Sequence, residues 1–136
     1  MAIKTAENIE ERAARGGEEK SAYVREIFSD IAPRYDFLNH LLSLNIDRVW
    51  RRKAIVELGV ERDPAGRYLD LCAGTLDVSV QLAGTRGFRG SIAGADFAEP
   101  MLRAGRSKVA GLPVSPVTAD ALHLPLADGS MSGAIV

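Results

Sequence analysis

Arg67-Tyr-Leu-Asp-Leu-Cys-Ala-Gly-Thr-Leu-Asp77 is the stretch on which the fold turns. Its first seven residues read as a short strand rich in residues that suit a pleated, buried surface. A Gly74-Thr75 turn follows, and a helix is expected from about Val78 to Ala83. Downstream the pattern repeats. Ser91–Asp96 reads as a second strand and Pro100 to about Val109 as a second helix, with its proline in the first turn, where no N–H bond is lost. Val114–Thr118 reads as a third strand and Met131–Val136 as a fourth. Strand and helix in alternation imply right-handed crossovers and a parallel sheet, an α/β architecture of Rossmann-like type.

Upstream the chain is helical. Val24, Ile27, Phe28 and Ile31 recur at helical spacing, so a helix is expected from Ala22 to about Ile31. Pro33 should end it, because the residue before a proline avoids the helical region. A second amphipathic stretch runs from Phe37 to about Leu58, with a break expected at Ser43–Asp47. Asp47 is placed to cap the segment beyond the break, Gly59 to stop it, and Asp63-Pro-Ala-Gly66 to form a turn. Three regions result: a charged, loosely ordered arm over 1–21, amino-terminal helices over 22–60 capping a pocket, and the α/β part over 67–136.

Composition narrows the function classes. Of 136 residues, 17 are Lys or Arg and 18 Asp or Glu, so no global field points to nucleic acid or to an acidic partner. The single cysteine, Cys72, excludes an internal disulfide and fits a reducing compartment. No apolar run approaches the roughly 20 residues that span a bilayer. The charged first twenty residues have no hydrophobic signal core, and a cytoplasmic location is expected. Neither Cys72 nor His123 has partners at metal-ligand spacing, so no metal is expected.

The last strand raises a separate expectation. Gly-Ala-Ile-Val136 has the sequence of a central, buried strand, which normally has neighbours on both sides. The fold is therefore expected to be truncated after its fourth strand, with residues 1–136 alone giving little turnover. An exposed edge of that kind also offers a homodimer contact.

The first turn is the natural ligand site. Gly74 and the helix start would present backbone N–H groups, and Asp96 ends the second strand about 20 residues on, where doubly wound folds hold a ribose hydroxyl pair. A dinucleotide would want Gly-x-Gly-x-x-Gly, yet Leu76 stands where the second glycine would be and Asp77 would repel a pyrophosphate. A ligand with an amino group and a sulfonium charge would be better received beside Asp77. Asp120, after the third strand, could accept from an exocyclic amine while Ala121 offers a backbone N–H. Each of these residues also has a plain structural role as turn or cap, and it is their order along the chain that favours a nucleotide-type ligand.

A resemblance then becomes specific. Tyr35-Asp-Phe-Leu-Asn-His-Leu-Leu-Ser-Leu-Asn-Ile-Asp-Arg-Val-Trp50 resembles the amino-terminal signature of the ubiquinone/menaquinone biosynthesis C-methyltransferases, with Leu38 where Met is usual and Asp47 where His is usual. Leu69–Asp77, Ala95-Asp96, Met101-Leu102, Ala119–Ala121 and Leu124–Leu126 extend it over about residues 22–136, with Leu76 in place of the usual Gly. The resemblance implies a class I methyltransferase fold that uses S-adenosyl-L-methionine to methylate a ring carbon of a polyprenylated quinol, such as demethylmenaquinol. It places cofactor contacts on Thr75 in the turn, Asp96 at the ribose, and Asp120 with Ala121 at the adenine, beside the Gly74 expected from the turn itself.

A quinol carbon becomes nucleophilic once the neighbouring hydroxyl loses its proton, and a general base contributes roughly 10²–10⁴-fold. Tyr35, Asp36, His40 and Asp47 are the candidates, each with packing, capping or solvent exposure as its alternative role. Arg48, Arg51, Arg52 and Lys53 surround Trp50; such a cluster is either a solvated helix face or a peripheral contact with anionic lipid at the inner face of a membrane. Two other classes stay open: an NAD-dependent oxidoreductase fragment, which shares the strand–turn–helix–acid order, and a non-catalytic chain.

Overall fold

The computed structural model describes the backbone of residues 17–43 and 46–136, with side chains at 17, 20, 22–32, 34 and 47–136. Helix α1 spans Glu18–Ser43 and α2 spans Ile46–Leu58. Strand β1 (Arg67–Leu71) leads to α3 (Asp77–Ala83), β2 (Ser91–Asp96) to α4 (Glu99–Gly105), and then come β3 (Val114–Thr118) and β4 (Gly133–Ile135). The four strands form one parallel sheet in the order β3-β2-β1-β4. The expected α/β architecture with amino-terminal helices is therefore present.

Strand register follows from alternation. Tyr68 pairs with Ile92 and Asp70 with Gly94, so these residues share one face of the sheet with Val114 and Ile135. Tyr68, Ile92 and Leu82 of α3 bury together with Ile55 of α2 and Val60 in one core cluster. A second cluster joins Ala73, Leu76, Leu102 and Val109. On the opposite face Leu71, Ala93 and Val117 are half-buried and Ala134 is exposed. Pro116 lies in β3, which among the described residues pairs with β2 alone; a proline is tolerated on such an edge because no ladder N–H is needed on the unpaired side.

Several sequence expectations are corrected. The first helix does not stop at Pro33. It runs from Glu18, inside the arm expected over 1–21, through to Ser43. A proline in a helix interior removes one hydrogen bond and costs about 3 kcal/mol. Ala32 is buried against Ala98 and Met101, with Phe28 packed alongside, and these contacts work against that loss by holding the segment to the start of α4. Asp47 lies inside the first turn of α2, which begins at Ile46, and bonds to Arg51 one turn on (2.6 Å). Of the break expected over Ser43–Asp47, Ser43, Ile46 and Asp47 are helical, and residues 44–45 lie outside the described residues. β1 ends at Leu71, two residues before the expected Ala73, because Cys72 turns left-handed (φ 57°). The second α/β helix ends at Gly105, and a 3₁₀ turn carries Arg106–Val109. Gly59 does end α2, in the left-handed conformation and with its N–H bonded to the Val56 carbonyl at 3.0 Å.

Leu76 is the unusual residue of the first turn. It adopts φ 67°, ψ 22°, a left-handed conformation that L side chains avoid. Its side chain is fully buried and lies over Gly94 of β2, where an added Cβ would meet Leu76 Cδ2 at 2.5 Å. The turn thus keeps a glycine-like backbone while the leucine fills the core beneath it, away from the turn's open side. Replacing Leu76 with Gly relieves about 1 kcal/mol of backbone strain but empties a buried leucine site, a loss of about 3–5 kcal/mol. The Leu76→Gly protein is expected to be less stable by about 2–4 kcal/mol in urea unfolding. Equal or higher stability would mean that strain, not packing, dominates the turn.

Candidate functional site

The carboxyl ends of β1, β2 and β3 open onto a cavity of about 320 Å³, within the size range of small-molecule sites. Parallel sheets place ligands at this end because the strand-to-helix turns gather there. Leu71 and Cys72 form one wall, Ala95, Asp96 and Phe97 the floor, and Ala119, Asp120 and Ala121 the far side. Lys20, Val24 and Arg25 of α1 close it from above.

Asp96 ties the site together. Its Oδ2 accepts the Gly74 N–H at 2.8 Å and its Oδ1 accepts the Ala98 N–H at 2.8 Å. One carboxylate therefore holds the turn after β1 against the turn after β2. An ionised carboxylate has about four acceptor positions, so both oxygens keep capacity for a ligand's hydroxyls. Asp120 is exposed; its Oδ1 accepts the Leu122 N–H at 2.9 Å, and that bond first, then His123 and Arg25, holds its carboxyl below the usual range. Its backbone carbonyl accepts the His123 N–H at 2.9 Å, which tightens the loop.

The roof is held by aromatic contacts. The Arg25 guanidinium lies 5.7 Å from the centroid of the Phe97 ring, and Phe28 meets the same ring edge-on at 6.4 Å. α1 is in this way fastened to the residue that follows Asp96.

Of the five cofactor contacts expected from the sequence, Asp96, Asp120 and Ala121 line one cavity. Gly74 contributes its N–H to Asp96 and turns left-handed (φ 52°). The Thr75 side chain faces elsewhere: it is buried, and its hydroxyl accepts from Lys108 Nζ at 3.1 Å. Its carbonyl lies against Gly105 so closely that a Cβ at 105 would collide with it, which explains the glycine ending α4. Asp77 is also engaged. Lys108 Nζ approaches its Oδ1 at 2.9 Å and Arg51 Nη1 its Oδ2 at 3.5 Å. Its charge is balanced by the protein, so it does not stand free for a ligand's amino group as the sequence suggested.

Among the candidate bases, Asp47 pairs with Arg51 rather than facing the cavity. Tyr35, Asp36 and His40 sit on α1, and their side chains lie outside the described residues. Sequence reading did not single out the roof residues as cavity lining: Lys20 fell in the expected arm, Val24 and Arg25 lay in the helices expected to cap the pocket without a local signal for it, and the only signal of Phe97 is its place next to Asp96. Cys72 also lines the cavity; partial burial, then the Asp96 and Asp70 carboxylates, push its thiol up, so it stays protonated at neutral pH.

A model of the ubiE/COQ5 methyltransferase family matches residues 17–136. The chain belongs to that family. A demethylmenaquinone methyltransferase of Desulfitobacterium hafniense (strain Y51) is 42% identical over 124 residues, which cover 88% of this chain and 48% of the relative. The ubiquinone/menaquinone biosynthesis C-methyltransferase UbiE of Geobacter sulfurreducens is 48% identical over 95 residues, covering 70% of this chain and 36% of the relative. The chain spans about half the length, or less, of the curated relatives it matches. A solved structure from Methanococcus maripaludis, described as a candidate S-adenosyl-L-methionine-dependent methyltransferase, shares the fold at a TM-score of 0.61 and 21% identity, over 76% of this chain and 47% of that one.

Beneath the family's first turn lies Asp70, buried and accepting the Ser79 hydroxyl at 2.6 Å. Burial pushes its carboxyl up from 3.8 to about 6, against the lowering effect of Ser79. Between these two values the unfolded chain has lost a proton that the folded chain keeps, so stability falls as pH rises and levels off above about pH 6. The full effect is on the order of 3 kcal/mol. Asp70→Asn is expected to become more stable relative to the parent by up to that amount between about pH 4 and pH 7, as read from urea midpoints. A pH-independent difference would show that Asp70 titrates normally.

Proposed function

We propose that this chain forms the cofactor-binding part of a methyltransferase that uses S-adenosyl-L-methionine to methylate a ring carbon of a polyprenylated quinol, such as demethylmenaquinol or a related benzoquinol. The observation that carries the reading is the convergence of Asp96 and Asp120 on one cavity at the ends of β1–β3. Family membership and the names of the relatives support the quinol as substrate.

The residues present fit the cofactor. Asp96, held by two backbone N–H bonds, has acceptor positions for both hydroxyls of a ribose. Asp120 takes the exocyclic amine of the adenine, with Ala121 beside it. Val24 and Phe97 supply apolar walls for the purine, and Leu71 and Cys72 line the side of the cavity toward the first turn, where the methionyl end would lie. When bound, S-adenosyl-L-methionine supplies an electrophilic methyl group on a sulfonium. The protein's task is then to hold a quinol carbon in line with that methyl, and positioning of this kind is worth several kcal/mol.

The quinol hydroxyl beside that carbon must give up its proton. Arg51 holds Asp47, so among the four sequence candidates the base role falls more readily to Tyr35, Asp36 or His40. A quinol with an isoprenoid tail resides in a bilayer. The enzyme is therefore read as a cytoplasmic protein working at the membrane surface; no described helix is long and apolar enough to cross a membrane.

Calorimetric titration separates this reading from a nicotinamide-dependent one. S-Adenosylhomocysteine is expected to bind and NAD to give no heat. Asp96→Ala should weaken S-adenosylhomocysteine about 10–100-fold, the loss expected for hydrogen bonds to a charged group. Heat with NAD alone would replace the methyltransferase reading with the oxidoreductase one.

A further inference from the structure

The inward side of α2 is well accounted for. Ile55 is buried in the core, Leu58 packs against it, and Asp47 and Arg51 join the ion-pair network that reaches Asp77. The outward side is different. Val49, Trp50 and Val56 are 56%, 68% and 65% exposed, although large apolar side chains are ordinarily withdrawn from water. Val49 and Val56 are seven residues apart and so lie on one stripe, two turns along the helix. Arg48, Arg52 and Lys53 are exposed around that stripe, with Glu57 as the acid on this side. None of the ion pairs among the described residues engages these three cations, in contrast to Arg51.

We infer that the outward face of α2 is a docking surface for an anionic lipid bilayer, with Trp50 and the Val49–Val56 stripe entering the headgroup region and Arg48, Arg52 and Lys53 meeting lipid phosphates. Three cations against one acid give the face a positive sign that matches such a surface. Tryptophan prefers the membrane–water boundary because its ring is apolar and its N–H remains wet. The helix is short and not strongly apolar, which suits lying in the interface rather than crossing it. The inference deepens the quinol reading by naming how the protein meets its lipid substrate, and its test does not depend on methyl transfer.

The chain contains one tryptophan, so its emission reports directly on this face. Vesicles of phosphatidylcholine with about one third phosphatidylglycerol are expected to shift Trp50 emission to the blue. Lipids brominated on their acyl chains should quench it. The shift should vanish with phosphatidylcholine alone and fade at about 1 M salt, where the screening length drops to about 3 Å. Arg52→Gln and Lys53→Gln should each lower the partition coefficient about fivefold. The salt titration on the unsubstituted protein remains decisive even if a variant folds poorly. No response to anionic vesicles, or an equal response to neutral ones, overturns the inference. So does a blue shift that grows with protein concentration in the absence of lipid, which would assign the face to a second copy. Because S-adenosylhomocysteine binding is read separately, a silent Trp50 with intact cofactor binding removes the lipid surface alone and leaves the methyltransferase reading standing.

Discussion

Two hydrogen bonds to Asp96 govern the arrangement of the site. The residue comes at the end of β2, and its carboxylate draws in the Gly74 amide from the turn after β1 and the Ala98 amide from the turn before α4. Both turns must fold back toward one point, so the sheet's carboxyl edge becomes concave rather than flat. Hydrogen bonds to a charged acceptor are worth roughly 1.5–3 kcal/mol each, and a buried carboxylate without them would be strongly disfavoured. The same group that shapes the cavity is therefore also one that lines it and keeps acceptor positions unused by the backbone.

The first turn is organised in two layers around this point. Above, Cys72 and Gly74 take left-handed backbone conformations that bend the chain sharply from strand to helix. Below, Leu76 fills the space left by Gly94, and Asp70 holds Ser79 of α3. A leucine with positive φ and a buried carboxyl pushed toward neutrality are both departures from the least strained arrangement. Their coincidence in and beneath the first turn means that packing there maintains a backbone which local preference alone would not adopt.

Charge is handled differently on the two sides of the turn. Beside α3, Asp77 is matched by Lys108 from the 3₁₀ turn and by Arg51 from α2, while Lys108 also reaches Thr75. These contacts link α2, the first turn and the segment after α4 into one network. In the cavity itself Asp96 and Asp120 retain acceptor capacity, and Arg25 is occupied on Phe97 above them. A ligand bearing donors at both ends of a nucleoside suits this distribution better than a pyrophosphate would.

Much of this was already legible in the amino-acid sequence. The bounds of β2 and β3, the stop at Gly59 and the placement of Asp96, Asp120 and Ala121 followed from period-two alternation and from turn residues, signals carried within a few neighbouring positions. The resemblance over about residues 22–136 gave the family. Tertiary structure alone decided the rest. α1 continues through Pro33 because Ala32 and Phe28 find partners some seventy residues away on α4. Lys20, Val24 and Arg25 enter the cavity for the same reason. The hydroxyl of Thr75 and the carboxylate of Asp77 turn to Lys108, more than thirty residues distant, and Leu76 turns down onto Gly94. Each of these outcomes depends on a group that is far off in the chain and near in space, and no local pattern encodes that proximity.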